Sequence, residues 1–333
     1  MKAAPTTGAA FYLFAMLCRL LRAGYQTLLG LALLLPGFAF GQNLPAALPD
    51  TTTYNPANTL LWRVSGPGVA GASYVFGTMH ALCPDDAAMP TEMAAAFRET
   101  QQLVLELDMD APDFNKQMRR AVQLPWPNSL RRVRKQRDYR VVRKFFKFRL
   151  HQPILPFILM KPAFVESYVY STLLPCTPVS YEEQLVQLAQ QQHKELLGLE
   201  TIQQQMASLD SISYPRQMQA LVKAIQEYDT YAPLMQQMVS VYQAQNVDAL
   251  YRFVVDPARN PDQSEVADLA QRNQNWIPQM KILLQSKPTF FAVGAGHLGG
   301  RTGVLQLLRQ QGYQLEPVLL SRAPAAPGPT PGR

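Results

Sequence analysis

Apolar and polar positions divide the chain into regions of different period: a long apolar run near the start, short β-type segments, a helical middle and a return to alternation near the end. Leu60–Val64 and Ser73–Phe76 are β-type runs separated by the turn residues Gly66-Pro67-Gly68. Pro90–Thr100 has helical spacing, and the continuous apolar run Leu103–Leu107 predicts a buried strand. The opening therefore reads β-β-α-β. Asp113 to Thr172 carries helical spacing throughout. Glu182–Gln192 predicts a further helix, Glu195–Leu199 a short strand, and Gln203 begins a helical run to about Gln285 that Pro215, Pro233 and Pro257 are expected to divide. Thr289–Val293, Thr302–Gln311 and Gln314–Leu319 predict strand, helix and strand. The expected fold class is α/β: a mixed central sheet formed by the N- and C-terminal segments, with a helical insertion or cap over about residues 113–175. No fixed-period repeat interrupts this pattern.

The ends read differently. Arg19 and Arg22 precede the apolar run Thr27–Phe40, and Ala39-Phe40-Gly41 has the small-x-small pattern of a signal peptidase site. Residues 1–41 are expected to be a signal peptide, 42–59 an extended leader, 60–322 the folded domain and 323–333 a Pro/Gly/Ala tail with no means of packing. The competing reading is an uncleaved membrane anchor, because Ala9–Leu21 is also apolar, although Arg19, Arg22 and Pro36 interrupt any run of about 20 residues. Either reading exports the domain to the periplasm or the extracellular space.

With 47% hydrophobic residues in 333, the chain has material for a substantial core, which excludes disorder throughout. The net charge is +7, but Lys2, Arg19 and Arg22 belong to the signal segment, so the remaining domain is only mildly basic. Of three cysteines, Cys18 lies in that segment, and the residues before it do not fit a lipidation site. Cys83 and Cys176 remain, and in an oxidising compartment such a pair is expected to bond, closing a loop long enough to contribute about 4 kcal/mol.

Candidate chemistry centres on two of the four histidines. His80 and His297 each close a Gly-x-x-His run after a predicted strand, in Gly77-Thr78-Met79-His80 and Gly294-Ala295-Gly296-His297, and strand ends are where α/β sites gather. Glycine is expected there to let the backbone turn and present the imidazole to a crevice. One such corner alone reads as an ordinary turn; the matched pair suggests two corners facing one another. Glu106 stands inside the apolar strand Val104-Leu105-Glu106-Leu107, where a buried carboxylate needs a cation, a metal or an arginine. Glu200 ends another strand, followed by Thr201, a candidate helix cap, and Gln205. Two imidazoles with one or two carboxylates are a ligand set for a divalent transition metal with positions left for water.

Other signatures are missing: there is no His-Glu-x-x-His, Gly-x-Ser-x-Gly or Walker A sequence. Gly294-x-Gly296-x-x-Gly299 with Glu316 imitates a dinucleotide fingerprint, but too little chain follows to complete a nucleotide-binding half. The basic stretch from Arg131 to Arg149, interleaved with Tyr139, Phe145, Phe146 and Phe148, reads as a solvated helix face or as a surface for an anionic envelope polymer or lipid. Export makes nucleic acid an unsuitable partner.

Leu61-Trp62-Arg63-Val64, Phe76-Gly77-Thr78-Met79-His80 and Leu105-Glu106-Leu107-Asp108, followed by Leu199-Glu200-Thr201 with Gln205, Arg272-Asn273 with Trp276, and Val293-Gly294-Ala295-Gly296-His297-Leu298, resemble in order the motifs of the TraB/GumN family. The resemblance spans about Leu60 to Pro317. It implies a fold similar to the erythromycin-esterase and ChaN-like proteins, and, through the family's TIKI members, a metalloprotease-like hydrolase. It further implies that His80, His297 and Glu106 bind a divalent ion such as manganese, cobalt or zinc, that Glu200 is another ligand or the general base, and that Arg272 stabilises a developing oxyanion. Asn273, Gln205, Gly77, Gly294 and Gly296 are supporting motif positions. The chain departs from the commoner pattern at Glu182, where aspartate is usual, and in its basic middle. Two non-catalytic readings stand beside the hydrolase: an extracytoplasmic protein binding a metal or small ligand, and a protein holding envelope polymer through its basic helices.

Overall fold

A computed structural model describes residues 58–256 and 264–321. The segment expected to be a signal peptide, most of the expected leader, Pro257 and the expected C-terminal tail lie outside the described residues. The sheet contains β1 (Leu61–Ser65), β2 (Ser73–Thr78), β3 (Gln102–Leu107), β4 (Glu195–Glu200), β5 (Thr289–Gly294) and β6 (Gln314–Val318) in the order β4-β3-β5-β2-β1-β6. Neighbours β4, β3, β5 and β2 run parallel, whereas β1 is antiparallel to both β2 and β6. The mixed sheet expected from the two ends is present: Leu61 pairs with Val318, and Thr78 with Gly294. The parallel register also brings the carboxyl ends of β2, β3, β4 and β5 to one edge.

The strands are short and rich in branched and aromatic residues, and their alternation sends side chains to two covered faces. On β5, Phe290 and Ala292 join one core with Phe76, Leu103 and Leu105, while Phe291 and Val293 join another with Val75 and Val104. The first face is covered by α1 (Thr91–Arg98), α5 (Tyr181–Gln191), α8 (Tyr228–Gln243) and α9 (Val247–Val255). The second is covered by α10 (Ser264–Ser286) and α11 (Val304–Gln310), through Trp276, Met280, Leu284, Val304 and Leu308. Burial on both faces explains why β3 and β5 read as nearly continuous apolar runs.

A third core lies beyond Leu107 and is formed by α2 (Phe114–Val122), α3 (Gln136–Phe148) and α4 (Pro162–Ser171), together with α6 (Ile202–Ser211) and α7 (Tyr214–Gln226). Its helices share Phe146, Phe164, Met206, Met218 and Leu221, so the helical lobe draws on chain well past residue 175. The expected break near Pro215 occurs, with proline in the first turn of α7 where its missing N–H has no intrahelical role. The expectation for Pro233 is corrected. It lies inside the second turn of α8, where its missing N–H forgoes the single bond to the Asp229 carbonyl without ending the helix, and the break falls before Tyr228 instead. No helix among the described residues is long and apolar enough to cross a membrane.

Cys83 and Cys176 form a disulfide with their Cα atoms 5.7 Å apart, as expected from the even pair. An isolated antiparallel bridge between Leu82 and Val179 lies beside it. Together they tie the segment after β2 to the entry of α5, whose start is capped by Ser180 accepting a hydrogen bond from the Glu183 amide.

Candidate functional site

Four motif residues converge at the carboxyl edge of the parallel strands. His80 follows β2, His297 closes a 3-10 turn (Ala295–His297) after β5, Glu106 is the penultimate residue of β3, and Glu200 ends β4. Glu106 shares the parity of Val104 and so faces α10, where Arg272, Asn273 and Trp276 stand within little more than one helical turn. Thr201 closes β4 by capping α6 in a reciprocal arrangement with Gln204, so Glu200 is held at the junction of strand and helix while Thr201 serves the helix.

Arg272 is the centre of the cluster. Its Nη2 donates to Glu106 Oε2 at 2.8 Å and Glu200 Oε1 at 2.6 Å, and Nε donates to both Glu200 oxygens at 3.2 Å. Nη1 lies 3.3 Å from His297 Nε2. Glu106 also accepts from the Gly294 amide at 2.8 Å and from Gln205 Nε2 at 3.0 Å. Glu200 additionally accepts from the Trp276 indole at 3.2 Å. Burial pushes the Glu106 carboxyl up, but the positive charge of Arg272, aided by the hydrogen bond from the Gly294 amide, outweighs it and holds the group at about 2. Burial of Glu200 leaves its carboxyl above its ordinary value despite Arg272. Arg272 itself is held above the normal arginine range by its two carboxylates, in spite of its own burial.

The histidines are oriented from behind. Asn273 Nδ2 donates to the carbonyls of His297 and Thr302 at 3.3 and 2.8 Å, which turns its Oδ1 towards His297 Nδ1 at 2.6 Å. Nδ1 must then carry the hydrogen and Nε2 the lone pair. Burial first, and Arg272 second, hold His297 down at about 3, so it is a neutral imidazole. The Trp276 ring packs 4.5 Å from it and restrains its plane.

His80 Nδ1 lies 2.7 Å from Glu182 Oε1. Burial opposes a charge on His80, yet the Glu182 carboxylate prevails and raises it above its ordinary value. His80 in turn lowers Glu182 against the effect of burial. The far edge of His80, Nε2, is buried and has no hydrogen-bond partner among the described residues. It is one of several buried polar atoms around the site without such a partner, with Thr78 Oγ1, Glu182 Oε2 and Gln205 Oε1.

The glycines of the two motifs act differently from the expectation. Gly77 does not adopt a left-handed conformation; a Cβ there would stand 2.8 Å from Leu298 Cδ1 and 3.0 Å from Ala295 Cβ. The two histidine segments thus approach one another more closely than any larger residue would allow. Gly296 likewise backs onto Val254, and the Gly294–Gly299 run folds into a 3-10 turn, with α11 beginning only at Val304.

Glu182 was singled out in the sequence only as a departure from pattern. Its signal was a carboxylate beside Tyr181 on the apolar Tyr181, Leu185, Ala189 stripe of α5, a position where a charge requires a partner. Trp276 and Asn273 gave no local signal, because their roles depend on α10 lying across the strand ends.

The fold and site define an α/β protein with a buried histidine, carboxylate and arginine cluster at the carboxyl edge of its parallel strands. The chain belongs to the TraB/PrgY/gumN family, whose model matches residues 60–317. It is 22% identical over 323 residues to Metalloprotease TIKI2 of Danio rerio, a match covering 78% of this chain and 61% of that protein. It therefore spans less than two thirds of that relative's length. No solved structure matches the chain.

Among the described residues, no three His, Cys, Asp or Glu side chains are gathered closely enough to hold a metal ion as they stand. Arg272 occupies the position of the counter-charge. The donor chemistry nevertheless fits a divalent ion: two imidazoles restrained at Nδ1 by oxygen acceptors, an unpartnered Nε2 on His80, and Glu106 3.9 Å from His297 Nε2.

Proposed function

We propose that the protein is an exported metal-dependent hydrolase acting on peptide bonds. The observation that carries this reading is the pair of buried histidines, each fixed at Nδ1 by Glu182 or Asn273, with Nε2 unpartnered on His80 and facing the Arg272 guanidinium on His297. Similarity to a metalloprotease supports the reaction class, and the disulfide supports an oxidising compartment. His80, His297 and Glu106 would hold the ion, of which manganese, cobalt and zinc suit this donor set. When bound, such an ion polarises a carbonyl and lowers the pKa of its water to about 7.

The chain's own groups supply the rest. Asn273 and Glu182 keep the two imidazoles in a donor orientation. Glu200 is the candidate general base, its buried carboxyl already raised towards the useful range. Arg272 is the candidate oxyanion donor, and both roles require its contact with Glu200 to open when substrate enters. The same contact favours a second reading, a non-catalytic binder of a metal or small ligand, because a carboxylate held by Arg272 and Trp276 is not free to take a proton.

Elemental analysis of the purified protein beside folded His80→Ala and His297→Ala variants tests the site. Stoichiometric metal in the parent and its loss from both variants is the expected result. Absence of metal under manganese, cobalt and zinc loading would sink the metal mechanism. Metal without hydrolysis of any peptide library would select the binder.

A further inference from the structure

We propose that the helical lobe docks on the surface of an anionic lipid bilayer, with Trp126, Leu155 and Leu159 entering the headgroup region. Among the described residues, four of the six large hydrophobic side chains that stand exposed belong to this lobe: Trp126 at 92%, Leu155 at 70%, Phe148 at 66% and Leu159 at 52%. Their concentration on one lobe distinguishes them from singly scattered surface hydrophobics.

Backbone pairing brings them together. The Leu124 amide donates to the Leu159 carbonyl and the Leu130 amide to that of Ile158, at 2.8 and 2.9 Å, so the loop carrying Trp126 lies against the segment 155–159. The buried Phe157 of that segment packs its ring 4.9 Å from Phe146, near the end of the helix that presents Phe148.

Cations are dense in the same stretch of chain. Between residues 123 and 161 the chain holds eleven Lys and Arg against a single acid, Asp138, which is buried and paired with Arg134 and Arg137. Arg132, Lys135, Arg140, Arg143, Lys144 and Lys147 are exposed and have no carboxylate partner among the described residues. Arg132 reaches the Pro127 carbonyl beside Trp126, and Lys147 lies over the Phe148 ring, which sets positive heads next to apolar tips.

Such a surface matches a bilayer interface, where tryptophan and leucine enter the headgroup boundary and lysine and arginine meet anionic lipid. A soluble polyanion accounts for the cations and gives the exposed apolar side chains nothing to enter. The lipid source therefore explains both halves of the patch.

Trp126 makes the test local. The full chain has three tryptophans, of which Trp276 is buried, Trp62 is partly buried, and none lies in the apolar segment 27–40. Emission of the full-length protein is measured on vesicles with brominated acyl chains, either phosphatidylcholine alone or mixed with phosphatidylglycerol. Quenching on the mixed vesicles is expected, with most of it lost in Trp126→Phe, and serine substitution of Arg132, Lys135, Arg143 or Lys144 is expected to weaken partitioning about fivefold for each. Equal quenching of the parent and Trp126→Phe, or undiminished quenching on pure phosphatidylcholine, would overturn the proposal. Salt-sensitive binding of polyphosphate without any lipid quenching would also overturn it and assign the face to a soluble polyanion.

Discussion

Arg272 carries the electrostatic balance of the candidate site, because two buried carboxylates face it and no other arginine or lysine is paired with either among the described residues. Replacing it with methionine keeps much of the volume and removes the charge, leaving Glu106 and Glu200 buried without their counter-ion. Breaking a buried pair in this way costs about 3–5 kcal/mol. Urea unfolding of Arg272→Met should therefore show a lower midpoint at neutral pH. The loss should shrink in acid, since protonation of Glu106 and Glu200 removes the charges left unpaired. A variant as stable as the parent at neutral pH would mean that another cation or solvent compensates, contrary to the observed burial. The need for a counter-charge on Glu106 was legible from the apolar run around it. That Arg272, distant in sequence, answers this need was not foreseen: the family resemblance implied a metal ligand in Glu106 and an oxyanion donor in Arg272, and nothing in the local pattern of α10 links it to β3.

Among the elements, the disulfide and α5 act together. Cys83 follows the His80 segment, and Cys176 precedes the helix that brings Glu182 to within 2.7 Å of His80. Closing a 93-residue separation restricts the unfolded chain strongly, and removal of the bridge is expected to cost about 2–5 kcal/mol. The paired Cys83→Ser and Cys176→Ser variant should unfold at lower temperature. If the bridge also positions α5, hydrogen exchange should quicken first at the start of that helix and around Leu82. A uniform loss of protection would confine the disulfide's role to global stability. Strand and helix boundaries in this part of the chain were readable from period, and at α6 from Thr201 as a candidate cap, whereas the Ser180 cap of α5 came from the structure. The internal Pro233 was not, because an internal proline forgoes one backbone hydrogen bond and crowds the preceding turn, and whether the helix survives that cost depends on how it packs.

For the molecule as a whole, the sheet is sewn from both ends of the folded chain. β6 covers β1, and β5 stands between β2 and β3, so the N-terminal strands are joined to the β3–β4 half of the sheet through a strand contributed near the C-terminus. Ending the chain at Gly303 would remove α11 and β6, strip Val304, Leu305 and Leu308 from one core and leave β1 as an unpaired edge. Such a truncation is expected to lose the cooperative thermal transition and to aggregate. Retention of a sharp transition would show that β6 is dispensable and that the remaining layers hold the sheet alone. Because the contacts between the ends are so distant in sequence, chain closure must precede much of their stabilisation.

The short-range part of this architecture was determined by the sequence itself. Apolar runs bounded by turn residues specified the strands, helical spacing specified the middle, and two Gly-x-x-His segments with an intrastrand carboxylate marked the positions where chemistry could gather. These signals arise within a few residues, where backbone sterics and burial of one face act directly. Tertiary structure alone decided which side chains meet. It placed Glu182 behind His80 and Asn273 behind His297, set Arg272 between Glu106 and Glu200, and made Gly77 a point of close approach rather than a turn. It also extended the helical lobe into α6 and α7 and brought Trp126 beside Leu159. Each of these outcomes depends on packing between segments far apart in the chain, for which no local period carries the information.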